Sequence, residues 1–243
     1  MDKLVAEGIT VEFDGERIIE NVSLTLKNGE IVSLLGVSGS GKTTLFNVLS
    51  GLCSPVEGRV LLDGEDITRK PGKVSYMLQK DLLLRHYTVI DNVSLPLVIK
   101  GMSKKQAREK AAALLPVFGL EGTEKKYPHE LSGGMRQRCA LLRTYLTGSE
   151  AALLDEPFSA LDTLTKSAVH GWYLDIMKEI RLSTVFVTHD IDEAILLSDR
   201  IYILSGKPGR ITDEISVDLP KPRDTLSDGF IEYKKLIKSK IIL

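Results

Sequence analysis

A glycine-rich segment near the start of the chain has the residue types and spacing of a phosphate-binding loop. It fits the pattern G-x-x-x-x-G-K-[ST] and follows an apolar stretch, residues 30–35, that predicts a buried strand. Helix-forming residues follow from Thr44 to Leu49, so glycine N–H groups and a helix N-terminus would face one anion. A glycine-rich turn with a surface lysine is the alternative. The candidate phosphate-binding residues are Gly36, Val37, Ser38, Gly39, Ser40, Gly41, Lys42, Thr43 and Thr44.

Two adjacent acids further along the chain supply the matching chemistry. Residues 151–155 form an uninterrupted apolar run that ends in Asp155, as expected of a central parallel strand. Ligand sites in α/β proteins lie at the carboxyl ends of such strands. There Asp155 and the Thr43 hydroxyl would bind Mg²⁺, Lys42 would contact the β- and γ-phosphates, and Glu156 could orient or deprotonate an attacking water. A helix N-cap with an acidic first turn is the alternative for this pair.

A second anion-binding segment lies between these two motifs, and it consists of Leu131, Ser132, Gly133, Gly134 and Met135. A serine hydroxyl, two unhindered backbone amides and the start of a helix can surround an anion. Taken alone, the segment could be only a helix cap. It resembles the signature of ATP-binding cassette (ABC) proteins, whose usual form is Leu-Ser-Gly-Gly-Gln, and Met135 departs from that form at the last position.

The resemblance extends to other motifs in the family's order. Gln79 closes the predicted strand 73–78 and matches the glutamine that contacts metal and water, while His189, after the predicted strand 183–188, matches the histidine that contacts the γ-phosphate. Phe13 matches an adenine-stacking aromatic, although a tyrosine is more usual and a half-buried strand residue is the alternative. The loop that crosses between subunits in the family is matched by Ser159, Ala160, Leu161 and Asp162.

The resemblance covers the chain from Leu4 to about Asp218. It implies an α/β fold, with a P-loop NTPase core of mostly parallel sheet, an antiparallel β edge subdomain and an inserted α-helical subdomain. In the family, the phosphate loop of one copy faces the signature of a second copy across the nucleotide. The resemblance therefore implies an ATP-dependent homodimer with ATP and Mg²⁺ as its cofactors.

Three further segments, 135–138, 157–162 and 206–211, resemble importer ATPases for nitrate, sulfonate, taurine or vitamin precursors. This implies a protein at the cytoplasmic face of the membrane, with a transmembrane permease and an extracytoplasmic solute-binding protein as partners that select the solute. These relatives tend to have Leu-Leu-Pro-Trp after the glutamine loop, whereas this chain has Leu-Leu-Arg-His at 83–86, where the permease would dock. An exporter ATPase, a soluble cassette ATPase of DNA repair or translation, and a small-molecule kinase are the alternatives.

Composition narrows the class of protein. With 243 residues, of which 43% are hydrophobic, the chain can bury one α/β core with a small subdomain. The 32 basic and 33 acidic residues give no overall attraction to nucleic acid or anionic lipid. The charged start and the absence of about 18 consecutive apolar residues predict neither a secreted nor a membrane-spanning protein. Cys53 and Cys139 are expected to be buried thiols in a reducing cytosol.

Periodicity predicts the elements that position these motifs. Alternation at 9–13 and 19–24 predicts an antiparallel edge, and apolar runs around Val74, Leu153 and Val185 predict parallel strands. Helices are predicted at 89–97, 107–118 and 164–180, with Trp172 in the core, and in a tail helix that lies on its own domain, for which a membrane-surface or dimer role is the alternative. We predict a single domain, 1–243, with the nucleotide-binding core at 1–80 and 147–220, the helical signature subdomain at 81–146 and the tail at 221–243.

Overall fold

Ten strands in two sheets and seven α-helices make up the part of the protein that the structure, a computed structural model, describes, residues 2–159 and 161–241. The strands are β1 (Asp2–Phe13), β2 (Glu16–Lys27), β3 (Ile31–Leu35), β4 (Glu57–Leu62), β5 (Glu65–Asp66), β6 (Ser75–Met77), β7 (Ala151–Asp155), β8 (Ser183–Thr188), β9 (Arg200–Ser205) and β10 (Arg210–Ser216). The helices are α1 (Lys42–Leu49), α2 (Val89–Ile99), α3 (Lys104–Ala112), α4 (Gly133–Tyr145), α5 (Thr163–Ile180), α6 (Ile191–Leu197) and α7 (Asp228–Ile241), with a short 3₁₀ helix at Pro128–Glu130.

The central sheet has the strand order β10-β9-β3-β8-β7-β6. All its pairings are parallel except that of β10 with β9. Every residue of β3, β7 and β8 is buried, because helices and the second sheet cover both faces. The parallel strands predicted around Val74, Leu153 and Val185 are therefore confirmed. Their carboxyl ends lie at one edge of the sheet.

The second sheet is antiparallel, with the order β2-β1-β4-β5. It contains the predicted antiparallel edge, although β1 and β2 are longer than the alternating segments that indicated them. Register shifts between β1 and β2 interrupt the strict alternation, which is why the pattern showed only part of each strand. Leu4, Ile9 and Leu24 from this sheet pack with Phe46 of α1 in one buried cluster.

The segment 81–146 contains α2, α3, the 3₁₀ helix and α4. The predicted helix 107–118 is wrong in its second half, because α3 ends at Ala112 and turns follow to Gly119. Pro116 explains the end, since it lacks an N–H group and its ring would collide with the carbonyl of residue 112 in a continuing helix. Leu115 and Phe118 remain fully buried. The proposed subdomain boundaries stay a prediction.

The predicted tail helix is α7. Phe230 and Ile237 on this helix are buried against α6 and β9, so it lies on its own domain. No helix among the described residues is both long and apolar enough to cross a membrane. Both cysteines are free, but only Cys139 is buried, and Cys53 is half-buried.

Candidate active site

The phosphate-loop residues connect β3 to α1, as predicted. Gly41 is the N-cap of α1 and has φ of 93°, a left-handed conformation that favours glycine. A Cβ atom at this position would also lie 2.4 Å from the Cγ2 atom of Ile19 on β2. The last glycine of the motif is therefore required both by its backbone conformation and by the close approach of the second sheet.

Lys42 is the first residue of α1, and its side chain folds back over the loop. Its Nζ atom donates hydrogen bonds of 2.9 Å to the carbonyl oxygens of Gly36 and Val37. Burial lowers the pKa of Lys42, while the nearby carboxylates of Glu156 and Asp155 act in the opposite direction. The ammonium group is thus held in the loop, facing the two acids.

Thr43 and Asp155 meet where α1 begins and β7 ends. The Thr43 hydroxyl donates to Oδ2 of Asp155 over 3.4 Å. Burial, and then the charge of Glu156, raise the pKa of Asp155. A hydroxyl and a buried carboxylate with excess negative charge beside it are hard oxygen ligands of the kind that Mg²⁺ prefers.

No group of three or more His, Cys, Asp or Glu side chains that could hold a metal ion occurs among the described residues. Mg²⁺ keeps several waters and is commonly bound through one or two protein oxygens together with substrate phosphates. Thr43 and Asp155 lie together as such a pair, whereas Gln79 contacts Glu156.

Glu156 lies at the centre of three predicted catalytic residues. Its Oε2 atom accepts a hydrogen bond of 2.9 Å from Nε2 of Gln79, and its Oε1 atom lies 3.3 Å from Nδ1 of His189. Glu156 has φ of 46°, an uncommon conformation for a residue with a side chain, and its N–H donates to the carbonyl of Val187. Backbone strain of this kind often occurs at functional sites, where the surrounding structure holds it.

These groups line one cleft of about 580 Å³. The predicted residues that line it are Ser38, Gly39, Gly41, Lys42, Thr43, Thr44, Gln79, Asp155, Glu156 and His189. The predicted residues that do not are Phe13, Gly36, Val37, Ser40, all of residues 131–135, Ser159, Leu161 and Asp162. Phe13 is 50% exposed on β1, so a face of its ring is free for stacking. The cleft therefore brings together most of the predicted phosphate loop and the three predicted catalytic residues, and the predicted signature segment does not line it.

The signature segment forms the start of α4. Ser132 is the N-cap, and its Oγ atom accepts a 3.2 Å hydrogen bond from the N–H of Met135. Gly134 has a packing role that the sequence did not indicate, because an added Cβ would lie 3.3 Å from both Thr165 and Val169 of α5. Close contact of α4 with α5 thus places the signature next to the helix that follows the crossing loop.

The predicted crossing loop joins Glu156 to α5. Ser159 Oγ donates to the carbonyl of Glu156 over 3.0 Å, and Leu161 is buried. Asp162 is the N-cap of α5, and its side chain accepts a 3.1 Å hydrogen bond from the N–H of Thr165. Ala160 lies outside the described residues. The loop thus connects Glu156, the predicted catalytic glutamate, to a long helix.

A larger cavity, of about 1080 Å³, lies away from all of these residues. It is found where α2, α4 and α5 end, and its lining includes Lys100, Lys110 and Arg181. Cations at helix C-termini offset the partial negative charge of the carbonyl groups there. The basic residues of this cavity therefore have a structural explanation. The predicted catalytic residues line the smaller cleft.

Residues 19–159 match the sequence profile of the ABC transporter family. The chain belongs to the ABC transporter family. It is similar to the formylaminopyrimidine import ATP-binding protein ThiZ of Halalkalibacterium halodurans, with 46% identity over 86% of this chain and 82% of that protein. It is also similar to the aliphatic sulfonates import ATP-binding protein SsuB of Bacillus cereus, with 40% identity over 91% of this chain and 87% of that protein.

A solved dimeric ATP-binding cassette in a post-hydrolysis state, bound to ADP and Pi, has the same fold as this ABC protein. The TM-score is 0.74 and the sequence identity 31%, covering 89% of this chain and 100% of that chain. The predicted α/β fold class is confirmed. As a member of the ABC family, the chain is an ATP hydrolase coupled to transmembrane transport.

Several residues near the ABC site were not indicated by any motif. Ile18 on β2 lines the cleft. Burial raises the pKa of Tyr76 on β6, and the charge of nearby Asp155 raises that pKa further. Glu193 on α6 is buried and accepts a hydrogen bond from Thr188, the residue before His189. None of these three residues belongs to a sequence motif of its own. The sequence could have indicated them only through their position next to a motif.

Proposed function

We propose that this chain is the ATP-hydrolysing subunit of an importer and works as a homodimer that closes over two ATP molecules. The observation that carries the proposal is the incomplete cleft: it contains a phosphate loop, two acids, Gln79 and His189, but none of residues 131–135 lines it. A two-fold pair would bring the Ser132 segment of each copy to the cleft of the other. The ATP-binding cassette dimer among the solved relatives supports this arrangement.

Within the closed site, each residue of the cleft has a defined role. The carboxylate of Glu156 holds and deprotonates the attacking water, and Gln79, which donates to that carboxylate, keeps it oriented. His189 and Lys42 contact the γ-phosphate, and Thr43 and Asp155, with Gln79 as a predicted third contact, would hold Mg²⁺. When bound, Mg²⁺ neutralises phosphate charge that develops during hydrolysis. The exposed ring of Phe13 would stack on adenine.

The segment that follows Gln79 supports docking of a permease. Leu82, Leu84 and Tyr87 are each more than 40% exposed, an apolar surface of the kind that marks interaction sites. Two arginines of α4 hold this segment: Arg143 donates to the carbonyl of Leu82 over 2.8 Å, and Nε of Arg136 lies 3.4 Å from Asp81. A partner bound here would therefore act on α4 and on the signature at its start.

Import of a small solute is supported by the relatives. One is named for import of formylaminopyrimidine and another for import of aliphatic sulfonates, which agrees with the solute classes expected from the sequence. In this proposal, the chain lies at the cytoplasmic face of the membrane against permease subunits. An extracytoplasmic solute-binding protein delivers the solute, so the ATPase does not contact it.

The Glu156→Gln variant tests the dimer model. Glutamine keeps the shape of the side chain but cannot take a proton, so hydrolysis is expected to slow by about 10²- to 10⁴-fold while ATP binding persists. The unhydrolysed nucleotide should then trap a dimer, seen by light scattering with saturating Mg·ATP. A Lys42→Ala change added to this variant is the control, and it should remain monomeric. If Glu156→Gln itself stayed monomeric, the proposed dimer would be wrong.

A further inference from the structure

A buried carboxylate is hydrogen-bonded to the residue that precedes His189, and no motif accounts for it. Glu193 on α6 is 5% exposed. Its Oε2 atom accepts a 2.7 Å hydrogen bond from the hydroxyl of Thr188, and its Oε1 atom accepts one of 2.7 Å from Nζ of Lys166. Nε2 of His170 lies 3.7 Å from the same Oε1 atom. One carboxylate thus joins three structural elements: β8, α5 and α6.

On one side, Glu193 holds the backbone on both sides of His189. Thr188 immediately precedes His189, and its hydroxyl oxygen accepts a 3.0 Å hydrogen bond from the N–H of Asp190, immediately after His189. The Thr188 hydroxyl donates its own proton to Glu193. A shift of the Glu193 carboxylate would therefore move the short loop that carries the imidazole.

On the other side, Glu193 is tied to the start of α5. Lys166 lies in the first turn, where its N–H donates to the carbonyl of Asp162 over 2.8 Å. His170, one turn further, contacts the ring of Phe158 edge to face, with centroids 4.7 Å apart. Phe158 immediately precedes the predicted crossing loop and Asp162 is its last residue, so the carboxylate is connected to both ends of the loop.

Stability alone is a weak reason for this arrangement. Removing two charges from water costs free energy that their attraction often fails to repay, so apolar side chains of similar size frequently serve as well in a buried position. Buried ion pairs are better suited to fixing one arrangement of elements relative to another. In this chain, the elements that Glu193 joins are the two loops that carry His189 and the crossing segment.

We propose that Glu193 is a positioning residue that couples the crossing loop to His189. In a closing dimer, contact of the partner with residues 159–162 shifts the first turn of α5, and Lys166 and Glu193 transmit that shift to Thr188 and the imidazole. His189 then reaches the γ-phosphate when the second copy is in place. The proposal rests on the proposed ATP-dependent homodimer.

Steady-state ATPase measurements on Glu193→Gln test the coupling. The variant keeps the side-chain shape and leaves the phosphate loop intact, so KM for ATP should change by less than about twofold while kcat falls about 10- to 100-fold through misplacement of His189. In a His189→Ala background, the same substitution should have no further effect on kcat, because Glu193 acts through that imidazole.

A paired substitution separates positioning from folding. Lys166→Met with Glu193→Gln removes both charges, so the melting temperature should return toward that of the wild type while kcat stays low. Asp192→Asn is the matched control: it lies on the same helix in a half-buried pair with Lys234, at 2.7 Å, and should keep wild-type kcat. Recovery of kcat together with stability would overturn the proposal, as would an undiminished loss in the His189→Ala background. A wild-type protein without ATPase activity would instead contradict the proposed function.

Discussion

The ammonium group of Lys42 is buried in its loop, and both of its hydrogen bonds end on uncharged carbonyl oxygens. Burial opposes its charge and the nearby carboxylates only partly compensate, as the lowered pKa shows. A phosphate group that enters the cleft would offer this cation a full negative charge. The ammonium group is therefore already desolvated in the folded protein, so binding of an anion does not have to supply all of that free energy.

Lys42→Ala is expected to weaken binding of ATP by about 10²-fold, because a charge-assisted contact to phosphate contributes about 1.5 to 3 kcal/mol. Equilibrium titration with a fluorescent ATP analogue measures the loss. Lys105→Ala, on the exposed surface of α3, is a control that should bind as the wild type does. Equal affinity of the two variants would remove Lys42 from the phosphate site.

Asp155 is a buried carboxylate, and a second acid, Glu156, lies beside it. Its raised pKa means that the ionised carboxylate is unfavourable in the folded protein. Asp155→Asn is therefore expected to raise the melting temperature of the nucleotide-free protein near neutral pH, by a few degrees. The same variant should lose the further stabilisation that Mg²⁺ adds in the presence of ATP. Differential scanning fluorimetry with and without both ligands measures these opposite effects, and a lower melting temperature of the nucleotide-free variant would contradict the first.

At the residue scale, the sequence identified the groups of the cleft because each belongs to a motif with a fixed chemical purpose. It did not show the left-handed backbone of Glu156 or the packing of Gly134 against α5. Both depend on contacts between segments that are distant in the chain. A sequence motif specifies a residue type, but the contacts made around it become visible only once the elements are packed.

At the scale of helices and strands, some features could likewise be predicted from the sequence and others could not. Strands β7 and β8 were predictable because burial on both faces leaves an apolar run, and the C-terminal helix was predictable from its periodicity. The end of α3 at Ala112 was missed because apolar spacing continues to Phe118, although Pro116 stops the helix. Leu115 and Phe118 are buried in turns, so burial alone does not distinguish a helix from a compact loop.

The contacts of Glu193 predict how the stability of the folded protein depends on pH in the acidic range. Burial opposes the charge of Glu193, but the nearby His170 side chain and hydrogen bonds from Lys166 and Thr188 outweigh it and lower the pKa of Glu193 from 4.5 to about 2. Since the folded-state pKa is the lower one, this residue stabilises the protein fully above pH 4.5. The contribution is lost as the pH falls from there to about 2.

We therefore expect Glu193→Gln to be less stable than the wild type at neutral pH, by up to about 3 kcal/mol. The difference should shrink as the pH is lowered from 4.5 toward about 2. Urea unfolding at several pH values measures it. Asp192→Asn should follow the wild-type curve, and a difference for Glu193→Gln that is independent of pH would show that the carboxylate's charge does not contribute.

At the scale of the whole molecule, sheet order explains why distant motifs meet. Strands β3, β8 and β7 are neighbours in the central sheet and run parallel, so the phosphate loop, His189 and the Asp155-Glu156 pair follow three adjacent strand ends. Strand β6 is next in order and delivers Gln79. The signature begins α4 in the helical segment and does not line this cleft. This separation of the signature from the cleft follows from the chain's topology and cannot be read from any single motif.

Two inactive variants should therefore restore each other's activity if the site is shared between copies. Lys42→Ala lacks the phosphate loop's cation. Ser132→Asp keeps a good N-cap for α4, yet places a negative charge where the partner's γ-phosphate would lie. In a mixed dimer, the intact Lys42 of one copy faces the intact Ser132 of the other, so one of the two sites is complete.

Mixing equal amounts of the two variants should yield between about a quarter and about half of the wild-type ATPase rate: a quarter if copies pair at random, and half if only mixed dimers, each with one complete site, form. Each variant alone should be inactive, and its rate at twice the concentration is the control. If every mixture hydrolysed ATP no faster than the sum of its parts, Lys42 and Ser132 would not act on a shared nucleotide. Restored activity would instead place the two residues on opposite copies, since no rearrangement within one chain can repair either substitution.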